Sequence, residues 1–374
     1  MVRTEMRIKG KRVCRAALIA ALVITVTAQG AAAGEWLAVE DAAPENADFL
    51  VQDEYSGTVC ITFLGDCTLG GEEKTRNAAR GFFRTVEKNG MDWPFRNLTA
   101  LTAGDDLTVA NLEGVLSDRD LPKIPKEYNF IGPTAYTEIL RKGSVECVTL
   151  ANNHSHDYDN AGYQDTQKAL EAAGTAWFGT ERALVWKNGE GLMIGFLGVS
   201  GSLSGNRAKD YEKKARILRE MGCAAVITVM HAGTEYEAEP DGYQNQIVTK
   251  AVRCGSDLVI GHHPHIVQGY EIREGVPVVY SLGNCVFGGN GNPRDHDALA
   301  VQAMLRFTEG TLTGITLHLY PISVSGEKSR NDYSPVLLSG ADAERVLKKM
   351  TESTGNDPGA FDEAKGAVVE VSVN

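Results

Sequence analysis

Apolar and polar positions follow a recurring order along this chain: a short apolar run, a burst of Asn, His, Asp or Glu, a helical stretch, then another apolar run. The runs Thr58–Leu64, Leu107–Ala110, Val145–Leu150, Leu192–Val199, Ala224–Met230, Asp257–Ile260 and Val278–Ser281 have the length and the Val/Ile content of buried strands. Helical stretches are predicted over Glu72–Asn89, Thr134–Lys142, Asn160–Ala173 with Gly174 closing it, Asp210–Met221 and Tyr243–Cys254. Past Asp297 the pattern changes. Ala298–Arg306 and Thr313–Tyr320 read as an antiparallel pair about a Glu309-Gly310 turn, Ala341–Met350 as an amphipathic helix and Gly366–Val373 as a returning edge strand. Strands alternating with helices, without any sequence repeat, predict an α/β fold with layered helices.

The polar bursts fall where strands end, and in α/β folds sites form outside the carboxyl ends of strands. The run Val145–Leu150 stops in Asn152, Asn153, His154, His156 and Asp157 with no Gly or Pro to explain the stop. Asn and Asp also favour plain turns, so both readings stand for this stretch. Asp66 follows the first strand, where it is either a metal carboxylate or a helix-capping or turn aspartate. Asn111 and Glu113 share one side of an extended chain, His231 ends another strand, and His263 and His265 point the same way about Pro264. Asn284 closes the series. Six of the eight histidines lie between 154 and 265. Imidazole, carboxylate and amide donors together suit Mn, Zn or Fe, and the lack of clustered cysteines argues against a closed structural zinc site. The donors suffice for one or two ions. A pair roughly 3.5–4 Å apart would activate water, with an unliganded histidine to protonate a leaving group.

Composition adds compartment and charge. The 374 residues are 43% hydrophobic and 23% charged, an ordinary globular composition. Arg3, Arg7, Lys9, Lys11, Arg12 and Arg15 precede an uncharged run over Ala16–Ala28 and then Ala31-Ala32-Ala33, the order of a secretory signal. Residues 1–33 are therefore expected to be a signal peptide or an amino-terminal membrane anchor, and residues 34–57 a flexible linker. The protein is expected to be exported and associated with the cell envelope. Removing residues 1–33 takes the net charge from −12 to −17. Such acidity excludes a nucleic-acid partner, which needs a basic footprint, but not a small anion bound through metal. The six remaining cysteines form no C-x-x-C pair and are expected to be mostly free and buried.

In order, Gly65-Asp66 with Leu69-Gly70, Ala110-Asn111-Leu112-Glu113, Asn152-Asn153-His154, His231-x-Gly233-x-Glu235, Gly261-His262-His263-Pro264-His265 and Tyr280-Ser281-Leu282-Gly283-Asn284 resemble the metallophosphatase-like CapA family, named for capsule and poly-γ-glutamate synthesis. The resemblance covers roughly residues 58–290. It implies a calcineurin-like metallophosphoesterase fold, a four-layer α/β/β/α sandwich over 58–297, with a small C-terminal β-hairpin and helix addition over 298–374 completing it. By position it makes Asp66, Glu113, Asn153, His231, His263 and His265 metal ligands and His154 the catalytic acid. Asn111, Glu235 and Asn284 become supporting or substrate-facing residues. His262 is left exposed or satisfied in the core, His296 and His318 have structural roles, and His156 and Asp157 are either support or turn residues. Two departures stand out: Asp66-Cys67-Thr68 lacks the usual first-motif histidine, which weakens one metal position, and Ala232 replaces an aromatic residue. The implied function is capsule or poly-γ-glutamate biosynthesis or export by a metal-dependent hydrolase of a phosphoester or an envelope-polymer bond. The alternative is a non-catalytic protein that binds the polymer. Expected partners are an anionic envelope polymer or phosphoester and membrane-bound capsule synthesis proteins.

Overall fold

A computed structural model describes residues 34–40 and 55–373; the expected signal over residues 1–33 lies outside the described residues. Two sheets face each other. The nine-stranded sheet has Gly57–Thr68 at its centre, parallel to Leu107–Leu112 on one side and antiparallel to Asp297–Thr308 on the other. Cys147–Thr149 and Ala176–Phe178 extend it in parallel, and Asn284–Phe287 pairs with the last residues of the central strand. The seven-stranded sheet has the parallel core Met193–Ser200, Ala225–His231, Leu258–His262 and Val276–Val279.

Parallel strands covered on both faces need apolar side chains on both faces, so they read as unbroken runs. Ala225, Ile227 and Val229 point between the sheets, against Ile61, Phe63 and Val301, while Val226 and Met230 point outward. The helices Gly205–Glu220 and Gly242–Arg253 cover that outer face with Leu218, Ile247 and Val248. On the opposite side Phe82, Ile139, Leu140 and Leu170 of three helices cover the nine-stranded sheet. The layers are thus α/β/β/α. The C-terminal hairpin turns at Glu309-Gly310, both at positive φ, and its long strands Asp297–Thr308 and Thr311–Ser323 are two of the nine strands of the larger sheet. Ala367–Ser372 pairs with the second of them.

Several expectations need correction. The linker expected over 34–57 begins with an edge strand, Gly34–Val39, paired antiparallel to Ala183–Asn188 and burying Trp36 and Val39. Its partner lies about 150 residues away in sequence, so nothing local announces it. The helix expected over Glu72–Asn89 is reduced to Phe82–Asn89 and a short 3₁₀ turn, because Gly81 and the polar stretch before it offer no apolar face. Strands at Ala176–Phe178, Ala183–Asn188 and Tyr270–Arg273 add to those the apolar pattern predicts. The expectation of free, mostly buried cysteines holds: all six described cysteines are free, and Cys67, Cys147, Cys223 and Cys285 are buried.

At the end of the nine-stranded sheet away from the polar bursts, Glu146 accepts a hydrogen bond from the Thr108 amide at 2.9 Å. Burial, reinforced by the Asp105 charge, pushes its carboxyl up to about 7. A carboxyl raised on folding adds stability fully below its unfolded value and loses it as pH climbs through the folded one. Glu146→Gln keeps the acceptor without the charge. It is expected to be more stable than wild type by about 1 kcal/mol at pH 8, a figure discounted for partial exposure, with the gap closing by pH 5. Melting temperatures of both proteins across that range check this.

Candidate metal centre

The strands of both sheets deliver their polar carboxyl-terminal residues to one place. A register shift between Leu64 and Asp66 re-aims the central strand, so that Phe63 points between the sheets and, one bulge later, so does Asp66. Gly65 permits the bend because a Cβ there would lie 2.2 Å from the Gly283 carbonyl. The Asp66 carboxylate accepts from Asn111 Nδ2 at 2.7 Å and lies 3.3 Å from His262 Nδ1 and 3.2 Å from His265 Nδ1. His231 Nε2 is 2.8 Å from Asn153 Oδ1, 3.0 Å from His263 Nδ1 and 3.6 Å from Glu113 Oε1. His265 Nδ1 is 2.9 Å from Asn284 Oδ1, which leaves its Nε2 facing Glu113 at 4.0 Å. Residues up to about 200 positions apart in sequence therefore share one cluster.

Its electrostatics are unusual for a protein interior. Glu113 is fully buried and neither carboxylate oxygen has a hydrogen-bond partner. Burial and the Asp66 charge push its carboxyl up to about 8. Burial opposes the charged form of His265, but Glu113 and Asp66 overcome it and raise the imidazole to about 10. Burial would likewise raise Asp66, yet the imidazoles of His262, His265 and His231 hold it well below the carboxylate range. His231 and His263 are pushed down by burial. His263 and His265 sit at φ 100° and 57°, backbone angles that non-glycine residues rarely adopt and that recur at functional sites.

A second unit lies alongside. His154 Nδ1 is 2.7 Å from Asp157 Oδ2, and its Nε2 faces Glu113 at 3.9 Å. Asp157 is fully buried, accepts from the Phe130 amide and pairs with Lys126 Nζ at 2.7 Å. Phe130 stacks on the His154 ring with centroids 4.4 Å apart. Asp157 is thus a partner of His154 and no mere turn residue. His156, by contrast, is exposed and stacks on Tyr163. Asn152 carries a role that the sequence reading does not assign: its amide holds Asn111 Oδ1 and the Leu112 carbonyl, and its Oδ1 accepts from the His154 amide.

Every sequence-named donor reaches this region. Asn111 and Asn284 brace Asp66 and His265, and the exposed Glu235 lies at the rim, where its charge reaches His263, His265 and Glu113. His262, expected to be exposed or satisfied in the core, is buried beside Asp66. His318 bonds the Lys365 carbonyl, away from the cluster. A cleft of about 330 Å³ opens beside Asn153, His231 and His263 and is bordered by Ser200, Ser202 and Tyr243.

The donor chemistry fits divalent cations. Ligand atoms of Glu113, His263 and His265 lie within 4.8 Å of one another, and an unpaired buried carboxylate among imidazoles is costly unless a cation or proton compensates it. The α/β/β/α sandwich with this cluster at its strand ends is a calcineurin-like, metallophosphoesterase-type fold. The particular family follows from sequence: the profile of the bacterial capsule synthesis protein family PGA_cap matches residues 60–289, more than half of the chain, and the chain belongs to that family. Among its relatives, the capsule biosynthesis protein CapA of Bacillus anthracis is 26% identical over 339 residues, spanning 84% of this chain and 77% of that protein. The PGA biosynthesis protein CapA of Bacillus subtilis (strain 168) is 26% identical over 265 residues, 66% of this chain and 67% of its own. The crystal structure of TT1561 of Thermus thermophilus covers 67% of this chain and 99% of its own at 10% identity and a TM-score of 0.40, too distant a likeness to bear on function.

Proposed function

We propose that this chain is an exported, metal-dependent hydrolase of capsule or poly-γ-glutamate biosynthesis, acting on a phosphoester or an envelope-polymer bond. The observation that carries this reading is Glu113, buried with both oxygens unpartnered in the midst of His231, His263 and His265. Asp66, Glu113, Asn153, His231, His263 and His265 would hold one or two divalent cations, which when bound supply Lewis acidity and acidify water. His154 is the general acid. Asp157 holds its Nδ1 and so directs Nε2 toward the cluster, where a leaving group would collect the proton. Lys126 neutralises Asp157, and Phe130 covers the imidazole face. A chain this acidic meets an anionic polymer through the bound cations, in association with membrane-bound capsule synthesis proteins.

Cation uptake must displace the protons that Glu113 and His265 carry in the free protein. Apparent affinity is therefore expected to rise from pH 6 to 9, with net proton release on binding. Calorimetric titration with Mn²⁺ in buffers of different ionisation enthalpy measures it; affinity independent of pH and buffer would contradict this donor assignment.

A non-catalytic polymer-binding role is the second reading, favoured by the absence of a histidine from Asp66-Cys67-Thr68. Retention of poly-γ-glutamate, compared with and without chelator and for His263→Ala, separates the two when set beside turnover of phosphoester and γ-glutamyl substrates. The hydrolase reading predicts turnover that chelation ends. Polymer retention indifferent to both changes, with no turnover, would favour the accessory role.

A further inference from the structure

Thr68 lies two residues beyond Asp66 in the central strand, and its side chain takes no part in the contacts described above. It is 1% exposed, and its hydroxyl has no hydrogen-bond partner. A hydroxyl buried without a partner costs roughly 1–3 kcal/mol, so a folded protein seldom leaves one unemployed. Strand alternation places Thr68 on the same side as Asp66. Phe287, in register with Thr68 on the neighbouring strand, packs its ring 5.3 Å from that of His265, which marks this side as the side of the cluster. The hydroxyl thus faces the region that holds Asp66, His265 and the unpartnered Glu113 carboxylate.

Resting on the metal-binding reading, we infer that Thr68 supplies an oxygen donor to the cation held at Asp66 and makes the two cation positions chemically unequal. Asp66, Glu113 and Thr68, beside the imidazoles of His262 and His265, form a set in which oxygen outnumbers nitrogen. Asn153, His231 and His263, which meet at His231 Nε2, form a set in which imidazole weighs more heavily. Oxygen donors suit Mg²⁺ and Mn²⁺, whereas imidazole suits Zn²⁺. The first position therefore selects a hard cation and the second accepts a borderline one.

The test titrates the full folded chain with Mn²⁺ alone and with Zn²⁺ alone, by calorimetry and, for Mn²⁺, by the electron paramagnetic resonance of the unbound ion. Thr68→Val, nearly the same shape without the hydroxyl, is expected to weaken one Mn²⁺ position roughly tenfold or more while changing the tighter Zn²⁺ position by less than about twofold. Thr68→Ser should restore Mn²⁺ binding, and the melting temperature of the metal-free Thr68→Val protein should be no lower than wild type, since an unpaired hydroxyl has been removed. Wild-type Mn²⁺ binding in Thr68→Val overturns the inference and leaves the metal centre standing. A wild-type chain that binds neither cation overturns both.

Discussion

Glu113→Gln is expected to raise the melting temperature of the metal-free protein and to abolish its stabilisation by divalent cations. The carboxyl is pushed up to about 8 by burial and by Asp66, so folding disfavours its ionised form at neutral pH. By linkage this group adds stability below its unfolded value and loses it as pH rises toward and through 8. Gln removes the charge but leaves a polar amide without partners, so the gain at pH 7.5 is about 1–2 kcal/mol, short of the full linkage figure. Saturating cation reverses the order, since wild type then gains the binding free energy and the variant does not. Melting curves of both proteins, with chelator and with Mn²⁺, show the crossover. A variant less stable than wild type in chelator would mean that Glu113 is a structural group with partners of its own.

His154→Ala is the second large effect. It should lower turnover roughly 10²- to 10⁴-fold, the usual contribution of a positioned acid, while leaving cation stoichiometry unchanged; the melting temperature should fall, because the missing imidazole leaves a cavity against Phe130 and takes a partner from Asp157. His154 Nε2 is 3.9 Å from Glu113, so its removal takes away no assigned ligand. Asp157→Asn should produce a smaller loss and a displaced acid limb in the pH–rate profile, because the amide reorients the ring instead of removing it. Undiminished turnover in His154→Ala would assign proton delivery to another group. Cation binding lost in the same variant would make His154 a ligand.

The parallel strands could be read from sequence because burial on both faces demands continuous apolar runs, and their polar ends stood out against that background. The clustered side chains Asp66, Glu113, Asn153, His231, His263 and His265 were legible as candidates for the same reason: each interrupts or follows such a run. What the sequence concealed depends on distant partners. Gly34–Val39 becomes a strand only because Ala183–Asn188 accepts it. Asp157 in a turn-rich stretch looks the same whether it caps a turn or holds an imidazole, and Lys126 approaches it from a loop about thirty residues earlier. The register shift beside Gly65, which aims Asp66 inward, leaves no trace in the apolar pattern. Asn152 was hidden beside the more conspicuous Asn153-His154: its side-chain amide ties the exit of its own strand to the end of the strand Leu107–Leu112, a contact that no local sequence feature announces.

Metal content tests the central claim most directly. The folded protein, equilibrated with Mn²⁺ or Zn²⁺ and freed of excess by dialysis, should retain about one to two ions per chain by elemental analysis, and Asp66→Ala and His263→Ala should each lower that number without unfolding the protein. Retention far below one ion per chain, or retention unchanged in both variants, would contradict a shared cation site built from these strand ends.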